Sequence, residues 1–357
     1  MGKIKFTPED FSLAAIKYRS QLLMMPIIGI NETLKFMTGR PGIRYSERVG
    51  TMSGNAQFAP YDPKNVTDFD LNVNFRELRT YFGSVVAEFE PNSAASTILG
   101  QGATKGDGQI QTPTARNVLA LVAKGLSGSL NDAVWNGVRN ATGKTTKDLF
   151  DGFDTITEQE KKSGNISADK GNYLFLRNIV PDESASYTEA LAFVQTIIKG
   201  IMTLADPKLR SKKCFIYCPQ WFFDLYQESY MYSHMGTPYN TKYKNNELEG
   251  TDGLWKFCPL PNKADSAFIH IAPQENMLVG YDQMGDVESV AVKEYRPFVL
   301  SYVATMFFGV QFQSIAKEDL FVVEFPKNVS NVIRELLLQN LDLPKNAVRG
   351  DNDNEIG

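Results

Sequence analysis

The tripeptide Gly143-Lys144-Thr145 resembles the end of a phosphate-binding loop, in which backbone amides surround the phosphates of a nucleotide. That loop requires the pattern Gly-x4-Gly-Lys-Ser/Thr between a strand and a helix. Here Gly137 is one residue too far away, and a helix is predicted before the segment instead of a strand. The tripeptide is therefore interpreted as a solvated turn that follows a helix.

The cysteines and histidines are the other candidates for chemistry, namely Cys214, Cys218, Cys258, His234 and His270. In a strand, Cys214 and Cys218 would lie about 13 Å apart. Two ligands of one zinc ion each lie at roughly 2.3 Å from the metal, so they cannot be that distant. We therefore predict buried, unpaired thiols, a core or interface position for His270 and a loop position for His234. The sequence predicts no catalytic, cofactor-binding or metal-binding residue.

An aromatic cluster and several basic residues allow two interpretations each. The aromatic residues fit a ligand platform, or, as we favour, the core or a protein interface. They are Trp221, Phe222, Phe223, Tyr226, Tyr230 and Tyr232. The basic residues fit solvated faces or contact with a polyanion. They are Lys161, Lys162, Lys208, Arg210, Lys212 and Lys213.

The composition is that of an ordinary folded protein, with 357 residues, 43% hydrophobic and 22% charged. The formal charge of −4 excludes a chain whose whole surface is basic. The N-terminal sequence lacks the apolar core of a secretion signal, so we expect an intracellular, reducing compartment. The most apolar stretch, from Phe298 to Phe312, is shorter than the roughly 20 residues of a spanning helix.

The first half of the chain combines helices with one extended excursion. Helices are predicted at 7–25, at 92–99 and from Pro113 to about Trp135, where apolar residues recur at spacings of three and four. From Gly39 to Asn74 the chain is rich in Gly and Pro, but apolar residues alternate with polar ones from Phe69 to Phe75. This pattern favours an extended segment that returns as a strand over a disordered linker. A strand is predicted at 83–88, and residues 140–172 are interpreted as polar and hairpin-like.

The second half alternates helices and strands. Helices are predicted from Ser186 to before Pro207, over Trp221–Ser229 and at 332–341. Strands are predicted at 214–218, 267–271, 277–281, 287–293, 298–313 and 320–325. The resulting fold class is α+β.

Taken in order, these segments resemble the major capsid proteins of tailed bacteriophages, which have the HK-ninety-seven-like (Johnson) fold. The stretch TPTARNVLALVAKGLSGSLNDAVWNGVRN is similar to the long spine helix, and LFDGFDTI to the segment after it. KKCFIYCPQWFFDLYQE resembles part of the axial domain, and the stretch from Asn276 to Phe325 resembles the closing strands.

The resemblance implies the following boundaries: an N-terminal arm at 1–41, an extended E-loop at 42–75, a peripheral domain at 76–180 with its spine helix at about 114–136, an axial domain at 181–285, return strands of the peripheral domain at 286–326, and a C-terminal helix and flexible tail at 327–357. Intersubunit contacts are expected at Phe58, Tyr61, Lys64, Phe69, Trp221, Tyr230 and Tyr232.

The implied function is a non-enzymatic shell protein that self-assembles into hexamers and pentamers around a double-stranded DNA genome. The expected partners are other copies, a portal, a separate scaffolding or decoration protein, and packaged DNA bound non-specifically; no membrane or cofactor is expected. The expected location is the virion shell, assembled in the bacterial host cytoplasm. An encapsulin-like nanocompartment shell around a cargo enzyme and an enzyme of unknown type are the alternatives.

Overall fold

A computed structural model describes residues 34–55, 70–89, 115–176, 187–233, 246–282, 290–296 and 299–326. The helices predicted at 7–25, 92–99 and 332–341, together with the C-terminal tail, lie outside these residues. His234 also lies outside them.

The strands follow one another as β1 (Thr38–Pro41), β2 (Ser46–Asn55), β3 (Asp70–Arg79), β4 (Tyr81–Phe89), β5 (Tyr173–Phe175), β6 (Cys214–Pro219), β7 (Trp255–Leu260), β8 (Phe268–Ala272), β9 (Met277–Asp282), β10 (Val290–Arg296), β11 (Val299–Phe312) and β12 (Phe321–Glu324). The α-helices are α1 (Ala115–Asn136), α2 (Phe153–Lys162), α3 (Tyr187–Leu204), α4 (Pro207–Arg210) and α5 (Gln220–Ser233). The α+β class is therefore confirmed, and every strand predicted in the second half is present within a few residues of its expected bounds.

The chain forms two compact units. The first comprises residues 1–156 and 277–314, and the second comprises residues 157–276 and 315–357. The chain passes between the units inside α2, between Asn276 and Met277, and between Ser314 and Ile315.

The first unit is built on the long strand β11. One edge of β11 pairs antiparallel with β4, and the other edge pairs with β10 and then with β9. Strand β1 pairs parallel with β9. The 14 residues of β11 are rich in aromatic and β-branched side chains, which suit a pleated sheet, and this explains why the strand is so long. Strands β2 and β3 form a separate two-stranded sheet.

One face of the β11 sheet is covered by the segment after α1. The ring centroids of Phe150 and Phe308 lie 5.1 Å apart, and those of Phe153 and Phe312 lie 5.0 Å apart. Trp135, at the end of α1, lies 5.4 Å from Phe153. Because all five side chains are buried, they form the core of this unit.

Two glycines allow the chain to cross itself after α1. The Gly152 amide donates to the Gly137 carbonyl at 2.9 Å. A Cβ at Gly137 would lie 2.5 Å from the Phe150 carbonyl oxygen, and one at Gly152 would lie 2.4 Å from that of Trp135. Because any larger residue would collide with backbone at either position, the crossing requires glycine twice.

The hairpin-like interpretation of residues 140–172 is wrong, because α2 occupies Phe153–Lys162. Phe153, Ile156 and Thr157 are buried at helical spacing, so the apolar stretch begins a helix. Lys161 and Lys162 occupy the last turn, where positive charge is favourable to the helix dipole.

The second unit is a five-stranded sheet in the order β5-β12-β8-β6-β7. Residues of α3 and α5 form one core with Ile216, Ile271 and Val323 on one face of this sheet. On the opposite face, Thr157 of α2 is hydrogen-bonded to His270 and Lys161 is paired with Glu324. Because strand residues alternate between faces, the unit has three layers, with the sheet in the middle.

Candidate assembly surface

The segment predicted to leave the body of the protein and return as a strand contains β2 and most of β3, which pair as an antiparallel hairpin. Its ten residue pairs run without a shift from Ser46 opposite Arg79 to Asn55 opposite Asp70. The predicted strand that ends at Phe75 is confirmed and continues to Arg79.

The inner face of the hairpin, which carries Val49 and Leu78, is buried. Val49 is 5% exposed and Leu78 is fully buried, and both pack with Ile43 and with Leu278 of β9. This small apolar cluster holds the base of the hairpin against the β11 sheet.

The outer face of the hairpin carries charged residues near its base, namely Arg48, Glu77 and Arg79, and apolar residues farther along, namely Met52, Val73 and Phe75. Met52 is 72% exposed and Phe75 is 65% exposed, while Val73 is half-buried. The register sets Met52 opposite Val73 and sets Phe75 opposite Gly50, which has no side chain to cover the ring. The apolar face recognised in the sequence is therefore not buried by the described part of the chain.

Polar contacts anchor the same hairpin to the end of β11. Arg76 Nε donates to the Phe312 carbonyl oxygen at 3.1 Å, and Arg76 Nη2 donates to Gln311 Oε1 at 3.0 Å. Gln311 Nε2 in turn donates to the Glu77 carbonyl oxygen at 3.2 Å. Gln313 Nε2 also donates to the Gly50 carbonyl oxygen at 3.5 Å, so the polar contacts support the half of the hairpin nearer the sheet.

Where the hairpin joins the sheet, an aromatic group is exposed. The Phe307 ring lies 5.2 Å from Tyr45 on one side and 5.2 Å from Phe82 on the other. Phe307 is buried, whereas Tyr45 is 72% exposed and Phe82 is 53% exposed. Tyr45 has a φ of 74°, which is uncommon for a non-glycine residue, and its carbonyl accepts from the Thr80 amide at 2.8 Å. The backbone is thus fixed in a turn that presents the Tyr45 ring outward.

The predicted intersubunit residues fall into two groups. Phe58, Tyr61, Lys64 and Phe69 lie outside the described residues. Trp221 and Tyr230 lie on α5, as does the backbone of Tyr232, whose side chain is outside the described set. These residues belong to the second unit, whereas the hairpin belongs to the first.

On α5 the aromatic cluster mainly forms core. Phe222, Phe223 and Tyr226 are buried, and Trp221 is half-buried with its ring 5.8 Å from Phe325. Tyr230 is also half-buried, and its hydroxyl donates to Glu249 Oε1 at 3.4 Å. Of the two interpretations of this cluster, the burial favours core over a ligand platform. The intersubunit role of Trp221, Tyr230 and Tyr232 remains a prediction.

Sequence reasoning missed Tyr45, Met52, Phe82 and Val86 as exposed apolar residues. Period-two alternation was present in β4, but alternation alone does not show which face another element covers. That information lies in the tertiary structure.

The tripeptide at Gly143 forms a turn, as predicted. The Gly143 amide donates to the Asn140 carbonyl at 3.1 Å, and the Thr145 amide donates to Asp148 Oδ2 at 2.9 Å. Because the Asp148 carboxylate occupies an amide that a phosphate-binding loop would offer to its ligand, this turn is unsuited to hold a phosphate.

The three cysteines are buried and none of them forms a disulfide, as predicted. Burial raises the pKa of the Cys214 thiol to about 12. It also raises the pKa of Cys218. No group of three or more His, Cys, Asp or Glu side chains suited to a metal ion occurs among the described residues.

His270 is fully buried, and its Nε2 lies 2.8 Å from Thr157 Oγ1. Burial, reinforced by the nearby Lys263 ammonium, lowers the pKa of His270 well below its usual 6.5. The predicted core position of this histidine is therefore confirmed. None of the helices in the described ranges is both long and apolar enough to cross a membrane.

Comparison with known proteins gives structural matches without sequence matches. No protein-family model and no curated protein sequence matches the chain. One match is a chain from the structure of the satellite phage P4 procapsid, a structure that includes the size determination (Sid) protein. It superposes with a TM-score of 0.52 at 12% sequence identity, over 86% of this chain and 91% of that chain.

Two further solved structures match less closely. The capsid of a native GTA particle gives a TM-score of 0.48 at 7% identity, over 91% of this chain and 92% of that chain. The holo-SrpI encapsulin complex from Synechococcus elongatus gives 0.45 at 11% identity, over 82% and 86%. The fold assignment rests on the P4 procapsid chain, together with the β2–β3 hairpin, the long helix α1 and the two-unit organisation. The chain therefore has the α+β Johnson fold of phage capsid proteins.

Proposed function

We propose that this chain is the major capsid protein of a tailed bacteriophage. It self-assembles into hexamers and pentamers that form an icosahedral shell around a double-stranded DNA genome. The observation that carries the proposal is the β2–β3 hairpin, whose base is anchored while the apolar side chains of Met52 and Phe75 on its outer face are exposed.

The exposed face supports assembly on energetic grounds. Burying one large apolar side chain contributes about 1.5–3 kcal/mol relative to leaving it in water. Met52 and Phe75 offer two such side chains per copy. A contact in which each copy contributes its hairpin and receives one from a neighbour is heterologous, and it closes into a ring when the rotation fits. Hexamers and pentamers are rings of this kind.

The proposal includes the roles expected from the resemblance. The N-terminal arm, E-loop, peripheral domain and axial domain keep the boundaries given above, as do the return strands and the C-terminal segment. A portal, a separate scaffolding or decoration protein and non-specifically bound DNA are the proposed partners. The shell of a virion, assembled in the cytoplasm of the bacterial host, is the proposed location. No catalytic role is proposed.

Assembly of the full chain tests the proposal. We expect the wild type to form capsomer-sized species or closed particles in size-exclusion chromatography with light scattering and in negative-stain microscopy. Phe75→Asp should abolish them, because it places a charge in the apolar part of the outer face, next to Val73. Phe175→Asp is the matched control, since Phe175 is also exposed but lies on β5 of the second unit.

The outcomes separate the alternatives. A wild-type chain that remains monomeric at high concentration, with crowding agents and with added scaffold, would contradict the proposal. Equal loss of assembly in both variants would show that the outer face of the hairpin has no specific role in assembly. Small shells purified with an enclosed protein instead of DNA would favour an encapsulin-type compartment.

A further inference from the structure

Strand β4 forms an edge of the first unit's sheet. Nine consecutive residue pairs join it to β11, from Phe89 opposite Leu300 to Tyr81 opposite Phe308, with no shift of register. In the described part of the chain, β11 is the only strand that pairs with β4. Among the described residues, no strand pairs with the other edge of β4, which carries a long, regular row of backbone donors and acceptors.

Proteins usually protect such edges with short strands, charges, prolines or bulges. The other edge strands of the two five-stranded sheets show these features. Strand β1 has four residues and includes Arg40 and Pro41, and β5 has three residues. Strand β10 carries Lys293 and shifts its register near Arg296. Strand β7 includes Pro259, and a bridge from residue 247 reaches its side.

Strand β4 has none of these features. Its sequence YFGSVVAEF contains no Lys, Arg or Pro, and its single charge is Glu88. Phe82, Ser84, Val86 and Glu88 alternate as exposed residues on one face, with Phe82 53% and Val86 64% exposed. A long apolar edge without protection is a template for strand addition.

We infer that β4 pairs antiparallel with β4 of a second copy, about a two-fold axis at Ser84. The inference deepens the proposed function and rests on it only in requiring that copies associate. Pairing through the hairpin is heterologous and closes rings, whereas a two-fold contact uses the same surface on both copies. Strand pairing at β4 is therefore suited to join one ring to the next.

The side chains select the register. With the axis at Ser84, Phe82 lies opposite Val86 of the second copy and Val86 lies opposite its Phe82. Aromatic and β-branched residues are a favourable cross-strand pair. An axis at Val85 would set Phe82 opposite Glu88, and an axis at Gly83 would set Val86 opposite Thr80, beyond the strand. Ser84 is thus the centre that matches both exposed apolar residues.

Cysteine cross-linking tests this register. Ser84→Cys places two thiols opposite each other at the axis, within reach of a disulfide. Val86→Cys is the matched control, because residues 86 of the two copies would lie about 13 Å apart along the strands. The native cysteines are buried, so they do not compete when the assembled protein is oxidised with diamide.

We expect Ser84→Cys to shift most of the chain to a dimer band on non-reducing gels, while Val86→Cys remains monomeric. The double variant Phe82→Cys/Val86→Cys should also give dimers. Circular dichroism checks that each variant is folded. Dimers of Val86→Cys as abundant as those of Ser84→Cys would overturn the register.

The test also separates this inference from the proposed function. Closed particles of Ser84→Cys without cross-linked dimers would overturn the β4 contact and leave the shell function standing. Cross-linked dimers without particles would support the contact and count against the shell. If hydrogen exchange protects the β4 amides in particles but no dimer forms, another segment covers this edge and the inference is wrong.

Discussion

Gly280 and Gly309 lie directly opposite each other in the β9–β11 pair, and the chain that links the hairpin to β4 crosses above them. A Cβ at Gly309 would lie 2.0 Å from the Arg79 carbonyl oxygen, and one at Gly280 would lie 3.0 Å from Thr80 Cγ2. Residues 79 and 80 can approach β9 and β11 this closely only because neither strand carries a side chain at these two positions.

Replacing Gly309 should therefore destabilise the first unit. Gly309→Ala forces the backbone near Arg79 to move, and such overpacking costs about 1–3 kcal/mol of the free energy of unfolding. Gly125→Ala is the control, because nothing lies within 4 Å of a Cβ added at this position in α1. That variant should gain up to about 1 kcal/mol from helix propensity. Urea denaturation followed by circular dichroism measures both; a stable Gly309→Ala protein would contradict the tight crossing.

Removing the polar anchor of the hairpin should loosen it selectively. Arg76→Met leaves the Phe312 carbonyl and Gln311 without their guanidinium donor, at an expected cost of about 1–3 kcal/mol. Amides of β2 and β3 should then exchange about tenfold faster or more, while those of β6 and β8 are unchanged. Arg48→Met is the control, since Arg48 is exposed and lies on the outer face. Unchanged exchange in Arg76→Met would show that the apolar cluster alone holds the hairpin.

The second unit should lose stability in mild acid because of His270. Its pKa is lowered in the folded chain, so the unfolded chain binds a proton that the folded chain does not. This contribution is complete above the unfolded pKa of about 6.5 and is lost as the pH falls. Between pH 7 and pH 5 the wild type should lose about 1–2 kcal/mol more than His270→Gln.

Urea midpoints of the two proteins across this pH range measure that difference, and carboxylates common to both cancel in the comparison. Thr157→Val is the control that keeps the imidazole, so it should retain the wild-type pH dependence. Parallel pH profiles for wild type and His270→Gln would show that His270 is not the group responsible.

The order of the long helices and of most strands could be predicted because these elements have local signals. The run from Val299 to Phe312 is apolar and β-branched over its whole length, and α1 repeats apolar residues at spacings of three and four. Helix α2 was missed because its buried positions, Phe153, Ile156 and Thr157, are embedded in a polar stretch that also suits turns.

The assembly surface was only partly predictable, because its character depends on contacts distant in sequence. Alternation along β3 indicated a strand, but Phe75 faces outward because Val49 and Leu78 pack against Leu278 on the other side. At Gly50, opposite Phe75, an added Cβ would lie 2.2 Å from the Asn74 carbonyl oxygen. Neither the packing on Leu278 nor the close approach at Gly50 can be recognised from the sequence of the hairpin alone.

The polar contact that anchors the hairpin can form only late in translation. Arg76 donates to the carbonyl of Phe312, which follows it by 236 residues. At about 5–20 residues per second, a ribosome needs about 10–50 s to make the intervening chain. Until Phe312 emerges, a nascent chain lacks the strand on which its hairpin is seated. Neighbouring nascent chains on one messenger therefore cannot present anchored hairpins to each other until each chain has been made beyond Phe312.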